Sequence, residues 1–325
     1  MSSLIDVAKL AGVSPSTISR YIRNACNVSD DKKERIKSAI AQLGYVPNIN
    51  ASILKSNRSN LVGLLLPGEH NMFFSLLINR LYQSLTGKQI IVLYYKDSRH
   101  VKEGVQTLLS LKVSAILFIP VKHSDTITNM ADNSDCYFLQ LFVDSFPQFD
   151  SLTINDNLGT YLATKELLDA GHRNILLIDK NNDVFDERLK GYKRAFSDSG
   201  LAFDPGNVLS LQEESELGAA LMTRWQENRP TAIIAVTEVL SQECCRILQE
   251  NRISIPDDVS FITYDDSKWA KLCRYTAVCQ PLEEVVSTIN RFVTKAETKS
   301  QESPEKIVID PIIVERQSVK KNEEL

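Results

Sequence analysis

The sequence predicts an all-α, three-helix segment followed by an α/β body of two parallel-sheet subdomains, and three observations lead there. The stretch "LIDVAKLAGVSPSTISRYIRN" places two short amphipathic patterns on either side of a Gly turn. From Leu61 onward, short apolar runs alternate with helical patterns, as in sheets covered on both faces. Charge is also split along the chain: residues 1–60 hold nine Lys or Arg against four Asp or Glu, and the remainder holds 28 against 37. The basic end is therefore the expected polyanion binder.

The first helix is expected to start at Ser3, which forms a capping box with Asp6, and to bury Leu4, Val7, Ala8 and Ala11 on one face before Gly12 stops it. A second helix starts at Pro15, where a missing N–H costs nothing, with Ser14 as N-cap and Val13 stapled against Ile18. Ile18 and Ile22 turn inward, while Ser16, Arg20 and Arg23 share the solvated face. Ser29 then caps a third helix that has Asp30 and Asp31 at its positive end, buries Ile36, Ala39, Ile40 and Leu43, and ends at Gly44. Two helices about a Gly turn, the second bearing short polar residues and an Arg, fit a helix-turn-helix DNA reader. An ordinary three-helix interaction domain has the same pattern. After Pro47, "NINASILKSNRSN" is polar with one short apolar register, and Asn48 can cap a two-turn helix to about Lys55 that is marginal alone in water.

In the body, "LVGLLL", "IIVLYY", "AILFI", "YFLQLFV", "NILLI", "TAIIAV" and "VSFIT" read as buried strands. Ligands in such sheets bind beyond the carboxyl ends of strands. No signal-like apolar stretch opens the chain and no run of about 18 apolar residues could span a bilayer, so a cytoplasmic protein without membrane partners is expected. The six cysteines lack C-x-x-C spacing and read as buried thiols, and neither a metal nor a cofactor is expected. Enzyme signatures are missing: there is no G-x-S-x-G, G-x-x-x-x-G-K-[ST], H-E-x-x-H or G-x-G-x-x-G, and the four histidines are scattered. His172, after a helix-ending Gly, reads as a cap on that helix.

"DVAKLAGVSPSTISRYIRN" followed by "VSDDKKERIKSAIAQLGYVPNINASIL" resembles the headpiece of the LacI/GalR family of bacterial transcriptional regulators, and the likeness continues along nearly the whole chain. The resemblance implies a headpiece over 1–47, a hinge helix and linker over 48–60, and an effector-binding and dimerisation body over 61–325. That body would have the periplasmic-binding-protein fold, with subdomains of about 61–153 and 154–282 and crossing C-terminal segments. It implies a homodimer, with a tetramer left open, on a palindromic operator in double-stranded DNA. Pro15, Ser16 and Arg20 fall against base edges, and Thr17, Ser19 and Asn24 against phosphates or the groove edge. Arg20, whose fork matches guanine O6 and N7, is expected to carry most direct specificity. In the hinge, Asn48 and Ala51 lie in the DNA-binding helix and Leu54 matches the leucine wedged into a central base step, with Ser52 where the family often has Arg.

For the effector, the resemblance points to Arg188, three residues before Gly191, to Asp265 after a strand, and to the aromatic pair Phe73 and Phe74. Donors, a carboxylate and an aromatic wall suit a sugar or sugar phosphate. Phe73 and Phe74 read equally as core, and Asp266 rivals Asp265. Thr237 and Glu238 stand where the family commonly has Asn-Asp, while Asp144, Asn155 and Asp156 are weaker candidates. The expected function is thus a repressor of carbohydrate-utilisation genes. Control by a partner protein, or a non-regulatory sugar-binding protein, are the alternatives.

Overall fold

Helix α1 (Leu4–Ala11) begins where Ser3 and Asp6 cap each other. The Asp6 N–H donates to Ser3 Oγ at 3.3 Å, while the Ser3 backbone N–H and hydroxyl donate to Asp6 Oδ2 at 2.8 and 2.7 Å and hold that carboxyl below its usual range. At the other end Gly12 takes a left-handed conformation, φ 64°. Arg35 donates to the Ala11 carbonyl at 2.7 Å, covering a helix-end acceptor with a cation. A Cβ on residue 12 would sit 2.3 Å from that guanidinium, so glycine answers both the backbone and the close approach. Helix α2 (Pro15–Ile22) starts with the Thr17 N–H donating to Ser14 Oγ, and α3 (Asp30–Leu43) ends at left-handed Gly44. Ser29 occupies the N-cap position of α3 but its hydroxyl makes no cap bond; Asp30 and Asp31 in the first turn supply the favourable charge instead. Val7, Ala8, Ala11, Ile18, Val28, Ile36 and Ala39 form the shared core.

The computed structural model describes residues 3–22, 28–45, 59–68, 72–121, 126–180, 185–298 and 303–322. Chain contacts divide it into two units, Met1–Ser59 and Asn60–Leu325. The proposed contacts at Asn24, Asn48, Ala51 and Leu54, and with them the hinge helix, lie outside the described residues.

In the second unit, one sheet contains β1 (Leu61–Pro67), β2 (Gln89–Tyr95), β3 (Ala115–Phe118), β4 (Tyr137–Leu141), β5 (Asp150–Ile154) and β11 (Lys306–Ile309), in the spatial order β11-β5-β4-β3-β1-β2 and parallel throughout. Helices α4 (Met72–Ser84), α5 (Ser98–Ser110), α6 (Thr126–Asp132) and α12 (Leu282–Thr298) accompany it. The other sheet contains β6 (Ile175–Lys180), β7 (Val208–Leu211), β8 (Ala232–Ala235), β9 (Ser260–Tyr264), β10 (Thr276–Cys279) and β12 (Ile312–Val314), ordered β12-β10-β9-β8-β6-β7, with only β12 antiparallel. Its helices are α7 (Asp156–Asp169), α8 (Phe185–Asp198), α9 (Leu217–Asn228), α10 (Glu238–Glu250) and α11 (Lys268–Leu272).

Successive residues of β6 go to opposite faces, as the two-residue period of a strand requires. Ile175 and Leu177 pack with Leu167 of α7 and Tyr192 of α8, whereas Leu176 and Ile178 pack with Leu221 of α9 and Leu248 of α10. Both faces are therefore covered, which is why the strand reads as one apolar run. The chain leaves the first sheet after β5 and returns after β10, where Val285, Ile289 and Phe292 of α12 join the first core. It then adds β11 to the first sheet and β12 to the second.

His172 closes the preceding helix as expected, through its backbone N–H, which donates to the Leu167 carbonyl at 3.0 Å. Its ring, in a residue 4% exposed, bridges Thr231 Oγ1 and the Lys320 carbonyl, each at 2.9 Å. Burial lowers its pKa, so it is a neutral pin for the C-terminal tail. No described helix is long and apolar enough to cross a membrane.

Candidate DNA-binding and effector sites

Helix α2 presents a solvated face because its apolar positions are few and clustered. Ile18 is fully buried, while Pro15, Ser16 and Arg20 are exposed and Thr17 and Ser19 are half-buried. Ser14 Oγ lies 2.8 Å from Ser16 Oγ and 2.9 Å from Thr17 Oγ1, so three hydroxyls cluster where the helix begins. Helix-start N–H groups with an Arg one turn further on can meet phosphate and guanine together.

The second site lies at the carboxyl ends of the strands. Arg188 projects from α8 and is 8% exposed. Its Nε donates to Asp156 Oδ1 at 2.9 Å, one of its terminal nitrogens lies 3.5 Å from Asp179 Oδ1, and its guanidinium stands 5.1 Å from the centre of the Tyr264 ring. Gly191 makes this reach possible: a Cβ there would lie 2.0 Å from the Asn157 carbonyl oxygen, so only glycine lets α8 press against the start of α7. Burial works against the Arg188 charge, but Asp156 and Asp179 more than offset it and raise its pKa. Burial pushes Asp179 up to about 6 despite the pull of Arg188.

Asp265 is 9% exposed and holds φ 65°, a left-handed conformation tolerated best by Asn, Asp and Gly. It accepts from Gln280 Nε2 at 2.7 Å; burial pushes it up to about 6, while that bond and Arg188 pull it down. The rival Asp266 is spent on Arg316 at 2.5 Å and Lys271 at 3.2 Å. Thr237 is the N-cap of α10, accepting the Leu240 N–H at 3.2 Å, so its side chain first serves the helix. Neighbouring Glu238 is 5% exposed and near enough to raise the Asp265 pKa.

On the first sheet, Phe73 is buried and Phe74 half-buried, and both rings pack on Phe142 with centroids 5.6 and 5.8 Å away. Phe142 itself has φ 64° just past β4, strain of the kind held at functional edges. Of the weaker candidates, Asp144 pairs with Lys306 at 2.6 Å, Asn155 caps α7, and Asp156 holds Arg188. A gap of about 280 Å³ opens between the sheet edges, lined by Phe142 and Val143 on one side and Asp156, Asn157 and Glu187 on the other. Asp179, Gln280, Tyr264 and Phe142 were not singled out from sequence. The acid closing the apolar run "NILLID" was a usable signal for Asp179.

Residues 3–48 match the family model for bacterial regulatory proteins of the lacI family, and residues 164–319 match that for a periplasmic binding protein-like domain. The chain is 30% identical to a ribose operon repressor of Haemophilus influenzae, over 98% of this chain and 99% of the relative. It is also 30% identical to the transcriptional repressor PurR of Vibrio campbellii, over 99% of each chain. Among solved structures, the lac repressor dimer bound to operator and an anti-inducer has a TM-score of 0.82 at 22% identity, covering 98% of this chain and 99% of that one, a likeness of fold. A helix-turn-helix unit, a two-sheet body and full-length relatives agree, and the chain belongs to the lacI family of bacterial regulatory proteins, which are DNA-binding transcription regulators and not enzymes.

Proposed function

We propose that this protein is a cytoplasmic repressor that binds a palindromic operator as a homodimer and responds to a small sugar-like effector between its two sheets. Pro15, Ser16 and Arg20 read bases, with Thr17, Ser19 and Asn24 on the phosphates or groove edge, and Asn48, Ala51 and Leu54 form a hinge that enters the minor groove. Phe73 and Phe74 supply the apolar wall, and Arg188, Thr237 and Asp265 the polar one. The observation that carries this reading is Arg188, a nearly buried guanidinium held at the strand ends by Asp156 and Asp179. A charge so placed is costly unless it serves recognition or specificity.

Names of relatives support the effector class: a ribose operon repressor, and a solved regulator in complex with cellobiose at 24% identity and TM-score 0.71. Selection of bound sequences from random duplex DNA tests the first half of the reading. A two-fold palindrome with guanine contacts supports it, and an asymmetric or unspecific pool refutes it. Titration calorimetry against sugars tests the second half.

A further inference from the structure

Charge in the cleft is one-sided. Asp156 and Asp179 flank the single Arg188, Asp265 feels both Arg188 and Glu238, and among the described residues two buried carboxylate oxygens of this group, Asp179 Oδ2 and Glu238 Oε2, have no hydrogen-bond partner. Asn157 Oδ1, another buried acceptor, is also unpartnered, while one terminal nitrogen of Arg188 is a buried donor without a hydrogen bond. Unmet buried polar atoms cost free energy, and an ionised carboxylate can only accept. The site therefore lacks donors and positive charge more than it lacks acceptors.

We propose that this cleft selects a hydroxylated ligand carrying an ammonium group, an amino sugar or a compact amino polyol, over the neutral sugar and over the sugar phosphate. The inference rests on the reading of the cleft as the effector site and names the class of ligand. An ammonium brings three donors and one positive charge to Asp179 and Glu238, and a hydroxyl of the same ligand accepts from Arg188. A phosphate meets four carboxylates and finds the one guanidinium already divided between Asp156 and Asp179. Neighbouring cations offer it little, since Lys180 lies 4.0 Å from Glu214 and Lys306 2.6 Å from Asp144.

The facing wall agrees in sign. Phe73, Phe74 and Phe142 form a ring cluster at the carboxyl edge of the first sheet, and aromatic faces attract cations. Asp156 and Asn157 line one side of the gap of about 280 Å³, with Phe142 on the other.

Titration calorimetry of the full-length protein with matched triplets tests this: glucose, glucosamine and glucose 6-phosphate, then galactose, galactosamine and galactose 6-phosphate. At least one amine should bind about tenfold or more tightly than its neutral parent, with the phosphate weakest. Asp179→Asn and Glu238→Gln, both nearly isosteric, should each bring that ratio below about threefold. A neutral sugar or a phosphate binding as tightly as its amine overturns the inference and leaves the sugar-effector reading standing. An amine preference unchanged in both variants also overturns it. If no triplet member binds in any charge state, the effector reading falls and takes the inference with it.

Discussion

Replacing Arg188 by Ala should strip the counter-charge from two buried carboxylates at once. The side chain is 10% exposed, that of Asp156 13% and that of Asp179 0%, so solvent screens little of the loss. Breaking a buried pair from one side costs about 3 to 5 kcal/mol, because the remaining charge stays buried without a partner. The cost should depend on pH in a defined direction. Asp179 titrates at about 6 in the folded protein, above its usual 3.8, so the native state binds this proton more readily than the unfolded chain does. Its ionisation therefore opposes folding increasingly as pH rises from the unfolded value through the folded one. Without Arg188 the folded pKa climbs further, so the variant's deficit should be largest near pH 7.5 and shrink towards pH 5. Urea unfolding of the body, followed at both pH values, reads this directly. Adding Asp179→Asn to Arg188→Ala should recover part of the loss at neutral pH. A deficit under about 1 kcal/mol, or one equal at the two pH values, would refute the claim that Arg188 neutralises buried carboxylates.

Four further outcomes are expected. Arg20→Ala should cost about 1 to 3 kcal/mol per half-site and relax preference at one base pair only, and band shifts over half-site variants distinguish this from the uniform weakening of a lost phosphate contact. A truncation starting near Leu61 should stay dimeric in sedimentation, because body surfaces and not headpieces are expected to hold the dimer. Gly191→Ala should push α8 away from α7, since the new Cβ would lie 2.0 Å from a backbone oxygen; its melting temperature should fall by several degrees and effector binding weaken with it. Asp265→Asn, which keeps a residue type that tolerates φ 65°, should leave operator affinity without effector unchanged and weaken effector binding about tenfold in calorimetry.

What the sequence determined by itself is chemistry confined to a few neighbouring residues. The Ser3–Asp6 capping box, the Gly12 and Gly44 helix ends and the Pro15 start are each complete within one turn, and all stand in the structure as the sequence predicts. Seven long apolar runs announced β1, β2, β3, β4, β6, β8 and β9 because a strand covered on both faces has no polar alternation to hide it. Strands β5, β7, β10, β11 and β12 went unread. Strand β5 carries Asp150 and Ser151 in the core, where the Tyr137 hydroxyl of β4, Lys295 of α12 and the Glu305 N–H of the return segment make that carboxylate tolerable.

Tertiary structure alone decided the polar partners of the cleft. The family resemblance pointed to Arg188, yet its pairing with Asp156, 32 residues earlier, depends on α8 lying against α7, and its approach to Asp179 on β6 lying beneath both. Asp265 and Asp266 part because the first takes a left-handed backbone angle and Arg316, returning from the last strand, claims the second. Phe73 and Phe74 gained a shared neighbour in Phe142, which β4 brings alongside, edge-on to the first ring and tilted against the second. Local patterns reveal themselves because a helix cap or a buried strand is satisfied by its own neighbours. Charge balance in a cleft is a sum over residues that only the fold brings together, and the low dielectric of the interior makes that sum decide what can bind.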